Sequence, residues 1–339
     1  VNKGGVPAST GIWTPQAAGE AWTPRIDGNG WTPQAALARR RIAVVVNGKS
    51  RRGRELFKAA LEGLTDAGFT ITAAQALRNP RLLGTKLDQL IAEGHDVIAV
   101  GGGDGSLALA AGKLAGRPLL LAVLPFGTAN SFARTLGIEP EVAPAVAVIA
   151  DGDVTKVDVV AVADTHFINS ATIGIPARIA QDIPPGLKRT LGRVGYLLYG
   201  CWKFLRLQPF TARIAIPGQP DIVEQVLEIR VGNGAFVGGL RVIDGADPES
   251  RDVVIQLVRG RYAAALAGVW AASLAGWRPA RSRVREIRAR AFTISCTPEQ
   301  PLSVDGETGT RTPVAFSVDP GALNVIVPRG SNAASRAED

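Results

Sequence analysis

Cysteine and histidine are almost missing from these 339 residues, with two of each. Cys201 and Cys296 cannot build a disulfide framework, so a reducing, cytoplasmic setting is expected. His95 and His166 lie far apart with no cysteine or histidine at ligand spacing, which argues against structural zinc and against Ser-His-Asp chemistry. Aromatic residues make up only 6% and are not interleaved with basic ones, so no base-stacking surface for nucleic acid is expected. The first forty residues lack the apolar core of a secretion signal. The most membrane-like run, Tyr262 to Trp277, is alanine-rich and shorter than the roughly 20 residues a bilayer requires. It reads as a buried or interfacial helix.

What is present is ample apolar material, 46%, enough for one large or two ordinary globular domains. Lysine and arginine number 38 against 30 acids, and a net charge of +8 suits an anionic partner. Residues 1–38 stand apart. Trp13-Thr14-Pro15, Trp22-Thr23-Pro24 and Trp31-Thr32-Pro33 recur every nine residues, too short a period for a solenoid, and read as a flexible extension.

From residue 39 to about 150 apolar runs alternate with helical stretches. Strands are predicted at Ile42 to Val46, Phe69 to Ala73, Val97 to Val100 and Leu119 to Leu124. Helices are predicted at Glu55 to Ala67, Leu82 to Glu93, Leu107 to Leu114 and Ala129 to Leu136. Repeated β-α units of this length imply a doubly wound, parallel-sheet α/β domain that binds ligands at the carboxyl edge of its strands. From 151 to 329 short apolar runs separated by Gly, Pro and Asp predict a mostly antiparallel β-sandwich domain. Helices are expected near 187–206 and 262–276, and residues 330–339 read as a disordered tail.

Three strand-to-helix turns carry chemistry. Gly101-Gly102-Gly103-Asp104-Gly105-Ser106 ends an apolar strand and opens a helix, so backbone N–H groups and the positive helix end can meet a phosphate, while Asp104 can hold magnesium. It is neither a Walker A sequence nor a spaced G-x-G-x-x-G. Pro125-Phe126-Gly127-Thr128-Ala129-Asn130 repeats the arrangement, with Thr128 and Asn130 able to donate to an anion. Asn47-Gly48-Lys49-Ser50-Arg51-Arg52 forms a basic turn after the first strand.

Gly-Gly-Asp-Gly-Ser followed by Pro-Phe-Gly-Thr-Ala-Asn-Ser-Phe-Ala-Arg resembles the diacylglycerol kinase catalytic-domain family, which includes bacterial lipid kinases and sphingosine kinases. The first motif is shared with NAD kinases; the second is the more specific. The similarity continues through Phe167-Ile168-Asn169, Gly232-Asn233-Gly234, Val304-Asp305-Gly306-Glu307 and Pro320-Gly321-Ala322-Leu323-Asn324, and so spans about residues 41 to 328. The resemblance implies an ATP- and Mg²⁺-dependent lipid kinase with its cleft between two domains. It implies ATP phosphates on Gly102, Gly103, Asp104, Gly105 and Ser106, with Gly127, Thr128, Asn130 and Asn47 close by. It further implies a general base at Glu307, with Asp305 beside it, and magnesium at Asp104.

The sequence departs from that pattern at five places. Ser106 replaces Thr, Ala108-Leu109 replaces Asn-Glu, Ser131 replaces Asp, the stretch 246–252 lacks Asp-Gly-Leu, and no matching threonine stands before Pro80. A non-catalytic nucleotide or lipid binder and an NAD kinase are the alternatives. Arginines at 278, 281, 283, 285, 288 and 290, and the basic-apolar stretch Lys188 to Arg206, point to a lipid substrate met at an anionic membrane surface.

Overall fold

The computed structural model describes residues 32–48, 51–174, 208–275, 277 and 282–331. The first two Trp-Thr-Pro copies, Lys49 and Ser50 of the basic turn, the helix expected near 187–206, Arg278, Arg281 and residues 332–339 lie outside the described residues.

Residues 33–38, read from the sequence as the end of a flexible extension, form a helix. Thr32 caps helix α1 (Pro33–Ala38) by accepting the Ala35 N–H at 3.1 Å. Pro33 sits in the first turn, where its missing N–H breaks no bond. Ala36 is buried in the main core.

The chain then alternates as expected: β1 (Arg41–Asn47), α2 (Arg51–Asp66), β2 (Thr70–Leu77), α3 (Leu83–Ala92), β3 (Val97–Gly102), α4 (Asp104–Leu114), β4 (Leu120–Pro125) and α5 (Ser131–Thr135). A further helix, α6 (Val142–Asp151), was not read from the sequence; its Pro144 falls in the first turn, where a helix tolerates it. The four strands pair in parallel in the order β2-β1-β3-β4. Helices α2 and α6 pack together on one face, α3 and α4 on the other. Strands buried on both faces explain the unbroken apolar runs Ile42 to Val46 and Leu120 to Leu124.

The second half contributes β5 (Asp153–Val162), β6 (Thr165–Phe167), β7 (Ser170–Gly174), β8 (Phe210–Ala215), β9 (Ile222–Val226), β10 (Glu228–Gly232), β11 (Phe236–Val237), β12 (Leu240–Arg241), β13 (Val253–Val258), helix α7 (Ala263–Leu274), β14 (Val284–Ala289), β15 (Ala291–Thr297), β16 (Pro301–Val304), β17 (Glu307–Arg311) and β18 (Val314–Val327). Six of these strands form a sheet in the order β14-β13-β10-β7-β16-β17. It packs on β5, β8, β15 and the first part of β18 around a core that includes Phe167, Phe210, Phe292 and Phe316. This is the expected antiparallel sandwich.

The two halves share one strand. The end of β18 pairs in parallel with β4, and from Phe316 onward β18 pairs antiparallel with β5, with a register shift between Asp319 and Leu323. Residues 322–327, read from the sequence as part of the second domain, therefore pack in the core of the first. Beside the shift, fully buried Asp158 accepts N–H bonds from Gly321 at 2.7 Å and from the Arg251 backbone at 2.7 Å, and the Arg251 guanidinium lies at 2.8 Å. Burial pushes the Asp158 carboxyl up, against the pull of Gly321 and Arg251. The loop that lacks Asp-Gly-Leu thus brings its own cation to this junction.

Candidate active site

Strands β3 and β4 lie side by side in parallel, with Gly102 opposite Pro125, so both glycine turns leave the sheet at the same edge. They touch. A Cβ on Gly127 would lie 2.5 Å from the Gly103 Cα, an approach that requires glycine at 127. Asp104 opens α4 and its Oδ1 accepts the Phe132 N–H at 3.0 Å, so the aspartate of the first turn also caps the helix that follows the second. Ser106 folds back against Gly102, and Asn47 at the end of β1 reaches the same spot, its Cβ 3.9 Å from where a Gly102 Cβ would be. The sheet order reverses between β1 and β3, the crevice where α/β sheets bind ligands.

Asn130 also builds the turn it stands on. It is buried in the left-handed conformation (φ 49°), and its amide closes a ring on Gly127: Oδ1 accepts the Gly127 N–H at 2.9 Å while Nδ2 donates to the Gly127 oxygen at 3.0 Å. Its side chain builds the turn with its oxygen and one of its two amide N–H groups, and the second N–H remains for an anion. Thr128 is exposed on that turn. Ser131 is likewise buried, its Oγ accepting the N–H of Gly239 from the second domain at 3.0 Å.

The second domain reaches this place through a hairpin. Val304 pairs with Glu307, and the two residues between them, Asp305 (φ 44°) and Gly306 (φ 90°), make the turn. Positive φ at both central residues is the requirement of a tight hairpin and the reason for Asp-Gly. Asp305 anchors it: Oδ1 accepts the Ser170 N–H at 2.9 Å and Oδ2 the Ile168 N–H at 3.1 Å. Beyond the turn, exposed Glu307 extends over the start of α4, and its Oε1 lies 3.0 Å from where a Gly105 Cβ would be. Residues some 200 positions apart in sequence thus form one acidic, glycine-floored cleft.

Asp305 is pushed up to about 7, first because its carboxylate is withdrawn from water and further by the charge on Asp104; the N–H bonds from Ser170, Ile168 and Asn169 work against both. An unfolded aspartate ionises near 3.8. Between about pH 4 and pH 7 the folded chain therefore keeps a proton that the unfolded chain has lost, and the contribution of this group to stability declines as pH rises through that window. Asp305→Asn removes the titration. The denaturation free energy of wild type minus that of the variant, from urea melts at several pH values, is expected to fall from pH 4 to 7; a constant difference would refute the assignment.

The residues present suit a nucleotide that carries its own magnesium better than a dedicated metal cage. Magnesium in such sites is held by one or two carboxylates plus phosphates and water, and Asp104 fits that need. Among the described residues no group of three or more His, Cys, Asp or Glu could hold a metal.

Two links were not foreseen from the sequence. Thr135 on α5 donates to Asn169 Oδ1 at 2.9 Å, and the Asn169 amide bonds the Phe236 oxygen, fastening the second glycine turn to the sandwich. Buried Asn233 spans the Asp158 and Ile168 oxygens at 2.9 and 2.8 Å. Asparagines inside otherwise apolar strand ends were the only hint.

A doubly wound domain joined through a shared strand to a β-sandwich, with a glycine turn facing an acidic hairpin, defines a two-domain molecule of the nucleotide-binding α/β plus β-sandwich class. Residues 41–162 match the diacylglycerol kinase catalytic domain, and residues 169–327 match the YegS C-terminal NAD kinase beta sandwich-like domain. A protein of Pseudomonas aeruginosa named "Probable lipid kinase YegS-like" is 30% identical over 86% of this chain and 95% of its own length. The diacylglycerol kinase of Staphylococcus aureus is 28% identical over 82% of this chain and 89% of its own. A crystal structure of a diacylglycerol kinase from Bacillus anthracis shares the fold, with a TM-score of 0.66 at 21% identity over 85% of this chain and 97% of that one. The chain belongs to the diacylglycerol kinase catalytic-domain family, in its YegS-like branch of lipid kinases.

Proposed function

We propose that the protein transfers the γ-phosphoryl group of magnesium-bound ATP to a hydroxyl of diacylglycerol or a related lipid, a sphingoid base included. The observation that carries this reading is the approach of Glu307 to the floor of the glycine cradle at Gly105. Glycine amides and the start of α4 supply the positive ends that hold a polyphosphate. Glu307 accepts the proton of the lipid hydroxyl as its oxygen attacks phosphorus; the new O–P bond forms, the bond to the β-phosphate breaks, and ADP leaves. Asp104 is the residue that would hold the metal, which when bound offsets the charge gathering on the phosphates. Asp305, with both oxygens engaged by backbone amides, is a positioning residue that fixes the hairpin carrying Glu307.

Purified protein, ATP labelled at the γ-phosphate and lipids in mixed micelles provide the test, with NAD⁺ run in parallel. Label is expected in diacylglycerol or a sphingoid base and not in NADP⁺. Nucleotide binding without transfer to any lipid would favour a non-catalytic binder; labelled NADP⁺ would favour an NAD kinase.

A further inference from the structure

Helix α7 contains no charged residue, Ala263 through Leu274. Its inner side is fixed: Ala263, Leu266 and Val269 are buried against Leu227, Val258 and Val284, and the ring of Trp270 lies 4.5 Å from the guanidinium of buried Arg230. The outer side, Ala264, Ala267, Gly268 and Ala271, is exposed. A helix apolar on every side is ordinarily enclosed by protein or lipid, whereas a water-facing one carries polar residues outward. This helix is half open.

Its two ends carry the most exposed large apolar side chains of the described residues, Tyr262 at 74% and Trp277 at 73%. Tyrosine and tryptophan, apolar in body and polar at one edge, are the residues favoured at a lipid-water boundary. Positive charge gathers beside Tyr262. The Arg259 N–H bonds the Arg283 oxygen at 2.7 Å, which brings the strand before α7 against the one after it. Arg259 and Arg285 both close on Glu224, and Arg261 and Arg283 stand within two positions of them along the chain. Arg261 and Arg283 are exposed.

We propose that the outer face of α7, bracketed by Tyr262 and Trp277 and flanked by Arg261 and Arg283, docks the protein on an anionic bilayer surface. The helix is too short to cross a bilayer, and among the described residues no helix is long and apolar enough to do so. It lies on the membrane. Aromatic ends enter the headgroup layer, the small outer residues let the helix lie close, and the arginines meet anionic headgroups. A second copy of this chain, itself positively charged, would bring arginines against arginines. The surface also lies near the cleft: Trp270 packs with Val237 and Val242 around the β11–β12 hairpin, whose Gly239 bonds Ser131 of the second glycine turn.

The inference takes its purpose from the lipid-kinase reading, and its test is separate. The full chain is sedimented with vesicles of phosphatidylcholine alone or mixed with phosphatidylglycerol, and its oligomeric state is followed by size exclusion. Wild type is expected to bind the mixed vesicles, more weakly at high salt, and not the neutral ones. Arg261→Glu with Arg283→Glu should weaken binding at least about tenfold. Tyr262→Ser with Trp277→Ser should weaken it similarly while leaving turnover of a water-soluble short-chain diacylglycerol unchanged. Vesicle binding equal to wild type in both variants overturns the proposal, as does a shift from dimer to monomer in the aromatic variant without loss of vesicle binding. Vesicle binding without any lipid phosphorylation would leave the docking surface standing and remove the kinase reading alone.

Discussion

Replacement of Glu307 by glutamine is expected to lower transfer to a lipid hydroxyl by about 100- to 10,000-fold, the range associated with losing a positioned general base. Glutamine keeps the shape and cannot take the proton. Because Glu307 is exposed, the fold should not register the change, and nucleotide affinity should hold within a few-fold. Gly105→Ala examines the same geometry from the opposite side. The new Cβ would fall 3.0 Å from Glu307 Oε1, the far end of a flexible side chain, so the carboxylate moves rather than the backbone. Gly105 stands in the first turn of α4 without a positive φ, so alanine fits its backbone and this variant should fold like wild type while transferring phosphate more slowly. A melting temperature that holds while activity falls is the pattern expected. Full activity in Glu307→Gln would remove this residue as the base.

Gly127→Ala should do the reverse, harming the scaffold and the nucleotide site together. Its Cβ would lie 2.5 Å from the Gly103 Cα and 2.8 Å from Asn130 Oδ1. Neither can yield cheaply. Gly103 is held between β3 and α4, and the Asn130 amide is bonded to the Gly127 backbone at both its oxygen and its nitrogen. Forcing the turns apart is expected to cost about 1–3 kcal/mol of stability, as overpacking does, and to weaken nucleotide binding roughly tenfold or more. Thermal melts with and without ATP and magnesium, alongside a nucleotide titration, measure both effects. Wild-type nucleotide affinity in Gly127→Ala would mean that the paired turns are not the phosphate cradle.

The first half of the chain was legible because local signals agree with the tertiary outcome. Apolar runs that can only be buried on both faces became β1, β3 and β4, and glycines followed by Asp104 or Thr128 marked where the strands turn into helices. Asp305-Gly306 likewise names its own hairpin. The misreadings arose where a residue has two local meanings. Pro33 can stop a helix or begin one, and here it begins one. In the arginine-rich run, Arg285 and Arg288 proved to be strand residues paired with Glu224 and Asp252, partners 61 and 36 positions away.

The amino-acid order alone settled most of the alternation of strands and helices, the two glycine turns and the acidic hairpin, because each depends on backbone preferences spanning a few residues. What the fold decided is which of these meet. The long final strand runs beside β4 and along β5, and Asp158 holds its register shift against Arg251 and Gly321. Asp305 fastens the hairpin to Ile168 and Ser170, and so the Glu307 carboxylate arrives above Gly105. Contacts between residues a hundred or two hundred positions apart leave no periodic trace in a sequence; they follow from packing two cores against a shared strand.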